Sequence, residues 1–405
     1  MGDLRIVVAG HVDHGKSTII GRLLYDTGSL PRQVADRLEK AGASDPAALA
    51  CITDQLSEEQ EGSFTLDTAQ AHFRTAQRDY TLIDTPGHRE FLKNMVTGTT
   101  QADAALLVVD AAEGPLPQTY LHAYLIAMLG IREVIVAINK MDLVSYECHR
   151  FHLLSRQIAG HLQRIGVVPR AIIPVSAQEG DHVVRPSSRM SWNLLPTLMQ
   201  AMEELVLQEQ NGYRPLRFLV QCPFPANGRQ AILGRVTSGH LHQGQTIVFD
   251  PGHHQTAVVS VLLGQQEVRM ASAGQSVGLL LEDPTPVKRG QVGSNVDDAP
   301  VATNRFSARV FWISPQSLTV KDKIEVLCGT QSCRGHIERI AKVIDPVSLA
   351  AVKTDAARLD DSQVAEIVIR TEWPVCIDPA DVVPELGRFA LLRDGRIGGG
   401  GVIVK

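Results

Sequence analysis

The sequence predicts an α/β domain, with a mostly parallel sheet covered by helices on both faces, followed by two all-β barrel domains. Three observations carry this. Continuous apolar runs alternate with helical patterns through about the first 200 residues, which is the signature of a buried parallel sheet. A glycine-rich loop joins the first apolar run directly to a helix. Past Asn211-Gly212-Tyr213-Arg214-Pro215 the runs become short and alternating, broken by Gly, Pro or Asp, as barrel strands are. The expected boundaries are 1–210, 211–300 and 301–405, and a 405-residue chain at ~150 residues per domain supports two to three domains.

The elements follow in order. Leu4 to Ala9 reads as a buried strand, and Lys16 to Tyr25 carries apolar residues at helical spacing. Tyr80–Asp84, Ala104–Val109, Glu133–Ile138 and Ala171–Val175 read as four further strands. Helices are expected at roughly 89–99, 117–129, 147–164 and 194–207. In the second half, Arg217–Val220, Thr246–Phe249, Val277–Leu281, Phe306–Phe311 and Val364–Ile369 read as strands, and the turn-like segment Val296 to Pro300 divides two pieces of barrel size. The glycine run Gly398 to Gly401 reads as part of a strand with glycine bulges, because no helix follows it.

Composition is that of an ordinary globular protein, at 44% hydrophobic and 20% charged, which excludes wholesale disorder. No apolar stretch reaches the ~18 residues of a membrane span, and the N-terminus has neither a basic leader nor a cleavage-type apolar region. Gly2 suggests myristoylation, but Ile6 stands where that motif needs Ser or Thr. A cytoplasmic location, with no membrane partner, is the expectation. The 6 cysteines are too sparse for a disulfide scaffold, so reduced thiols are expected. Cys328 and Cys333, like the histidine pairs 240/242, 253/254 and 149/152, lack a complete zinc ligand set and read as free side chains. Net charge is −5; residues 211–405 hold 21 Lys/Arg against 19 Asp/Glu, leaving 18 against 25 in the first part. Neither part is a basic nucleic-acid domain by bulk charge.

Four motifs carry the chemistry. Gly10-His11-Val12-Asp13-His14-Gly15-Lys16-Ser17, continuing into Thr18, fits G-x-x-x-x-G-K-[ST] between a strand and a helix. Glycines let the backbone turn its N–H groups onto phosphates, and the helix N-terminus adds positive potential. Lys16 supplies a point charge to the terminal phosphates, and Ser17 a hydroxyl to Mg²⁺. Asp84-Thr85-Pro86-Gly87 ends the next strand, where Asp84 can hold Mg²⁺ and the Gly87 N–H can read the γ-phosphate; alone, this string is also good turn chemistry. Asn139-Lys140-Met141-Asp142 ends another. The Asp142 carboxylate can accept from guanine N1–H and the 2-amino group, a donor pair adenine lacks, at ~1.5–3 kcal/mol per bond. The Lys140 stem can cover the base face; taken singly, Asp142 also fits a helix cap. Ser176-Ala177-Gln178 offers backbone N–H to guanine O6. Four motifs in this order, each at a strand's C-terminal end, point to a GTP site.

These residues resemble the translational-factor class of P-loop GTPases, and the resemblance covers the whole chain: a G domain and two barrels. Its marks are the P-loop with two histidines, Asp84-Thr85-Pro86-Gly87-His88 and Asn139-Lys140-Met141-Asp142. Two branches fit. One is the GTPase subunit of bacterial sulfate adenylyltransferase; the other is the elongation-factor-1-alpha-like proteins that carry aminoacyl-tRNA. Gly21 to Thr27 and Ser176 to Asp181 are shared marks, and Met190-Ser191-Trp192 is closer to the sulfate branch, whereas His11 and His14 are closer to the elongation factors.

The resemblance implies Thr65 as the switch threonine that completes Mg²⁺ coordination with Ser17 and Asp84. It implies His88 as the residue that orients the attacking water, Val12 and Phe64 as an apolar gate, and a monovalent cation near Asp13. Switch I departs from the family pattern at Gln60, Ser63 and Phe64, where Arg, Gly and Ile are usual, which puts normally regulated hydrolysis in doubt. The functional expectation is a GTP-hydrolysing subunit that couples hydrolysis to sulfate activation (ATP and sulfate giving adenosine 5′-phosphosulfate and pyrophosphate) with a small ATP-using catalytic subunit. The alternatives are an elongation-factor-like carrier of aminoacyl-tRNA to the ribosome and a stand-alone GTP switch.

Overall fold

The computed structural model describes residues 3–30, 70–84, 102–205, 214–226, 229–264, 266–283 and 287–404. They form two compact units, 3–205 and 214–404. The expected helix at 89–99, most of the switch segment 28–66, and Gln60, Ser63, Phe64, Thr65, Gly87 and His88 lie outside the described residues.

The first unit is built on one sheet of β1 (Leu4–Gly10), β2 (Gln70–Arg74), β3 (Asp79–Asp84), β4 (Ala104–Asp110), β5 (Glu133–Asn139) and β6 (Ala171–Pro174), in the order β2-β3-β1-β4-β5-β6. Every pairing is parallel except the β2–β3 hairpin. The strand β2 was not among the expected ones. Its signal is a short alternation, with Ala71 and Phe73 turned inward, and Phe73 stacks on Tyr80 with ring centroids 4.7 Å apart.

Among the described residues, four helices accompany the sheet: α1 (Lys16–Asp26), α2 (Pro117–Met128), α3 (Cys148–Arg164) and α4 (Leu198–Glu203). Ile19, Ile20, Leu23 and Leu24 of α1 pack with Met199 and Met202 of α4 on a core that includes Ile135 and Ala137 of β5. Ile138 faces the other way, onto Phe151 and Leu154 of α3. Both faces are therefore covered, as the continuous apolar strands require. The expected helix at 194–207 is shorter. Pro196 disfavours helix in the residue before it, and Thr197 is the N-cap: its hydroxyl accepts from the Gln200 N–H at 3.2 Å while Gln200 Oε1 accepts from the Thr197 N–H at 2.9 Å. No helix among the described residues is long and apolar enough to cross a membrane.

The second unit holds two closed antiparallel barrels of six strands each. The first ring runs Thr246–Asp250, Val292–Asn295, Arg217–Ala226, Arg229–Ser238, Ser276–Leu281, His254–Leu263 and back. The second runs Lys323–Cys328, Arg388–Arg393, Arg396–Val404, Val301–Trp312, Val364–Ile377, Gln331–Ile344 and back. Closure leaves no free edge in either ring. The glycine run is a strand, as expected: a Cβ on Gly398 or Gly399 would come within 2.5 Å or 2.9 Å of the ring of Trp312, which is fully buried.

A buried ion pair joins the barrels. The Arg217 guanidinium, 2% exposed, donates from Nε and Nη2 to the Asp378 carboxylate at 2.6 and 3.1 Å, and from Nη1 to the carbonyls of Leu216 and Asp298 at 2.8 and 2.7 Å. Cys328, Cys333 and Cys376 are buried free thiols, and burial pushes the Cys328 thiol up to about 12. Cys333 lies within the strand Gln331–Ile344.

Candidate functional site

The C-terminal end of β1 lies at the switch point of the sheet, with β3 on one side and β4 on the other. The parallel register sets Val8 beside Asp84 and Gly10 beside Val108, so the loop after β1 starts level with the end of β3. Its two glycines are needed where they stand. A Cβ on Gly10 would meet the Val108 carbonyl oxygen at 2.5 Å, and Gly15 caps α1 in the left-handed region at φ 86°. Asp13 also has positive φ, at 64°, a conformation Asp tolerates better than most residues.

Within this loop Lys16 is 8% exposed, and its ammonium donates to the carbonyls of Gly10 at 3.2 Å and His11 at 2.9 Å. Burial lowers its pKa, and the carboxylates of Asp84 and Asp13 oppose that shift. The Ser17 hydroxyl donates to Asp84 Oδ2 at 3.0 Å. Those two side chains offer hard oxygen donors side by side at the end of the sheet, the donor type Mg²⁺ takes, and so fit the expected ion. Val12 and Asp13 are exposed, whereas His11 and Thr18 are half-buried.

His14 is fully buried, and desolvation lowers its pKa. Its Nδ1 lies 3.3 Å from both the Asp110 N–H and the Val108 carbonyl, and its Nε2 lies 3.5 Å from Glu113. A neutral ring makes the Glu113 contact a weak polar one rather than an ion pair.

Asn139 ties the loop to the segment after β6 that is expected to read the base. It is 1% exposed; its amide nitrogen donates to the His14 carbonyl at 3.0 Å and its oxygen accepts from the Ala177 N–H at 3.0 Å. Lys140 has φ 61° and its ammonium pairs with Asp110 Oδ2 at 2.8 Å, which fixes the direction of its stem. Asp142 lies in the 3-10 turn Met141–Val144 and accepts the hydroxyl proton of Ser176. The N–H groups expected to reach guanine O6 are only partly available. Ser176 donates to the Asp181 carbonyl at 3.0 Å and Ala177 to Asn139, which leaves the Gln178 N–H without a partner among the described residues.

Two site residues were missed by the sequence reading. Asp110 is 2% exposed; burial acts to raise its pKa, but Lys140 and the N–H groups of Glu113 and Ala112 hold it below the usual carboxylate range. It ends β4 as Asp84 ends β3, which was a legible signal. His122 of α2 accepts the Gly10 N–H on Nδ1 at 3.1 Å, and no sequence pattern marks it. Among the described residues no group of three or more His, Cys, Asp and Glu is placed to hold a metal ion.

Comparison with known proteins identifies the family. Residues 3–208 match the elongation factor Tu GTP binding domain family, and residues 305–404 match the GTP-eEF1A C-terminal domain-like family. Elongation factor 1-alpha of Pyrococcus furiosus is 35% identical over 415 aligned positions, covering 99% of this chain and 97% of the relative. Elongation factor 1-alpha of Thermococcus onnurineus is 34% identical, with coverage of 99% and 97%. A crystal structure of sup35 complexed with GMPPNP aligns over 100% of this chain and 94% of its own with a TM-score of 0.47 at 22% identity. With its nucleotide-binding half matched from end to end and near-complete relatives above a third identical, the chain belongs to the translation-factor class of GTPases, the family of elongation factor Tu and elongation factor 1-alpha.

Proposed function

We propose that this chain is a GTP-binding and GTP-hydrolysing switch of the elongation-factor-1-alpha kind, with a G domain at 1–210 and barrels at 211–300 and 301–405. The observation that carries the reading is the Asn139 bridge, because it draws the phosphate loop and the base-reading segments into one pocket. In that pocket the N–H groups of residues 13–18 and the Lys16 ammonium face the terminal phosphates. Ser17, Asp84 and Thr65 would hold Mg²⁺, which would supply positive charge to offset that of the terminal phosphates. Asp142 reads guanine N1–H and the 2-amino group, the Gln178 N–H reads O6, and the Lys140 stem lies along the ring. His88 orients the water that attacks the γ-phosphate. Isothermal calorimetry of the magnesium-loaded protein tests this: binding of GTP and GDP with ATP far weaker is expected, and equal heats for both purines would overturn it. In turnover assays His88→Ala is expected to slow hydrolysis while sparing GTP affinity.

For the partner, the relatives named elongation factor 1-alpha support the aminoacyl-tRNA and ribosome reading over coupled sulfate activation, whose distinguishing mark is Met190-Ser191-Trp192. GTP-dependent, salt-sensitive protection of an aminoacyl-tRNA ester against hydrolysis supports the carrier role. Capture of a small ATP-using subunit with GTP-stimulated, sulfate-dependent pyrophosphate release would reverse that order. Either role is cytoplasmic.

A further inference from the structure

We propose that Tyr146, Asp181 and Arg189 are positioning residues for guanine recognition: they close a ring of hydrogen bonds that fixes the Asp142 carboxylate relative to the Gln178 N–H. The inference rests on the guanine-pocket reading above and names what gives that pocket its selectivity.

The two groups that read the base lie on different segments. Asp142 is in the turn after β5, and Gln178 is in the loop after β6. They address neighbouring groups on one edge of the base, O6 on one side and N1–H with the 2-amino group on the other, so discrimination depends on the spacing between them. The turn itself is not self-supporting. It ends in two successive non-glycine residues in the left-handed region, Ser145 at φ 51° and Tyr146 at φ 57°, and an aromatic side chain rarely adopts that conformation. Such a backbone persists only where its surroundings over-determine it.

The Tyr146 N–H donates to the Met141 carbonyl at 2.8 Å, which closes the turn around Asp142. The indole N–H of Trp192 donates to the Tyr146 carbonyl at 2.9 Å. The Tyr146 hydroxyl donates to Asp181 Oδ2 at 2.8 Å, and the Ser187 hydroxyl holds the other carboxylate oxygen at 2.6 Å. The main chain of Asp181 then accepts the Ser176 N–H at 3.0 Å, and the Ser176 hydroxyl returns to Asp142. The circuit is closed: Asp142, along the turn to Tyr146, across to Asp181, across to Ser176, and back.

Arg189 fastens the circuit from outside. Its Nη1 donates to the Tyr146 hydroxyl at 2.7 Å, to Glu179 Oε2 at 3.1 Å and to Asp181 Oδ2 at 3.2 Å, and its guanidinium carbon stands 5.6 Å from the centre of the Tyr146 ring. Glu179 follows Gln178 directly, so this arginine grips both base-reading segments at once. Burial, together with the Asp181 carboxylate, pushes the Tyr146 phenol up to about 12 against the opposing pull of Arg189, so it stays a proton donor throughout the working pH range. The sequence 189–192 thereby gains a role in the site: Arg189 and Trp192 clamp the turn, and Met190 packs on Met141 and Ile138 beneath it.

The test compares guanosine with inosine diphosphate, which differ only in the 2-amino group that Asp142 reads. Calorimetry on the full chain gives both affinities for the parent, Tyr146→Phe and Arg189→Gln, and thermal unfolding is recorded for each. Arg189 is half-exposed, so its replacement guards against a Tyr146 variant that fails to fold. The expected result is a guanosine-over-inosine preference that falls about tenfold in the variants, the loss of roughly one hydrogen bond to a charged group, with the inosine affinity nearly unchanged. Variants that weaken both nucleotides equally, or neither, would overturn the proposal, since a merely structural loss has no reason to single out the 2-amino group. A parent protein with no guanosine preference would instead overturn the guanine pocket itself, and this inference with it.

Discussion

Replacing Asn139 with Ala gives the sharpest test of how the pocket is assembled. The side chain spans two segments, donating to the His14 carbonyl and accepting from the Ala177 N–H, both at 3.0 Å. His14 is fully buried and Ala177 is 1% exposed, so water cannot replace either partner without reshaping the site. Truncation strands one buried acceptor and one buried donor, at roughly 1–3 kcal/mol each, for a total of about 2–6 kcal/mol. Because Asn139 bonds the loop and not the base, the loss falls on folding and on every nucleotide alike. Urea unfolding, with amide exchange read at β1, β5 and α1, measures the first part, and calorimetry with GDP and ADP measures the second. The first unit is expected to lose that stability, and both affinities to fall together. Asp142→Asn contrasts with it by weakening guanosine nucleotides alone. An Asn139→Ala protein as stable as the parent within about 0.5 kcal/mol would refute the bridging argument, and a base-selective loss at unchanged stability would mean that Asn139 reads the ring.

Three other outcomes follow from the same physics. Arg217→Met leaves the Asp378 carboxylate, 8% exposed, without its cation, and should cost about 3–5 kcal/mol in the second unit; adding Asp378→Leu should restore most of it, and a single-variant loss below about 1 kcal/mol contradicts the clamp. Gly399→Val drives a side chain toward Trp312 and the Phe311 carbonyl, 2.9 and 2.6 Å from the first added carbon, and should cost about 1–3 kcal/mol or more by thermal unfolding. The first unit should also weaken in acid. Burial lowers the pKa of His14, His161 and His182 below the ordinary 6.5, so below that pH the unfolded chain binds protons that the folded unit refuses. Their contribution is complete above pH 6.5 and declines as pH falls, by up to about 1.4 kcal/mol per pH unit for each histidine. A midpoint urea concentration that stays flat between about pH 6.5 and 5 would show that these rings ionise freely.

What the sequence made legible divides along a physical line. Strands whose residues are all apolar, such as Ala104 to Val109, need no partner to be recognised, and the strand–glycine loop–helix string at Gly10 to Ser17 is local chemistry. Helix ends were less legible. The start of α4 depends on a reciprocal bond between Thr197 and Gln200, which outweighs the helix-forming character of Leu194 and Leu195. The short strand β2 depends on the hairpin partner beside it.

The supporting residues of the site were hidden for a different reason. His122 meets Gly10 across 112 positions, Asn139 meets His14 across 125, and Tyr146 meets Asp181 across 35. None of these contacts has a sequence period, since each is produced by the sheet order that brings β1, β4, β5 and β6 side by side. A motif therefore announces which groups touch a ligand, because ligand contact is local in sequence. It stays silent on what holds those groups at the right spacing, because that is a property of the whole sheet. On the proposed reading selectivity depends on the second set: a carboxylate alone attracts any donor, and it would read guanine only when its distance to a fixed N–H is enforced by the residues around it.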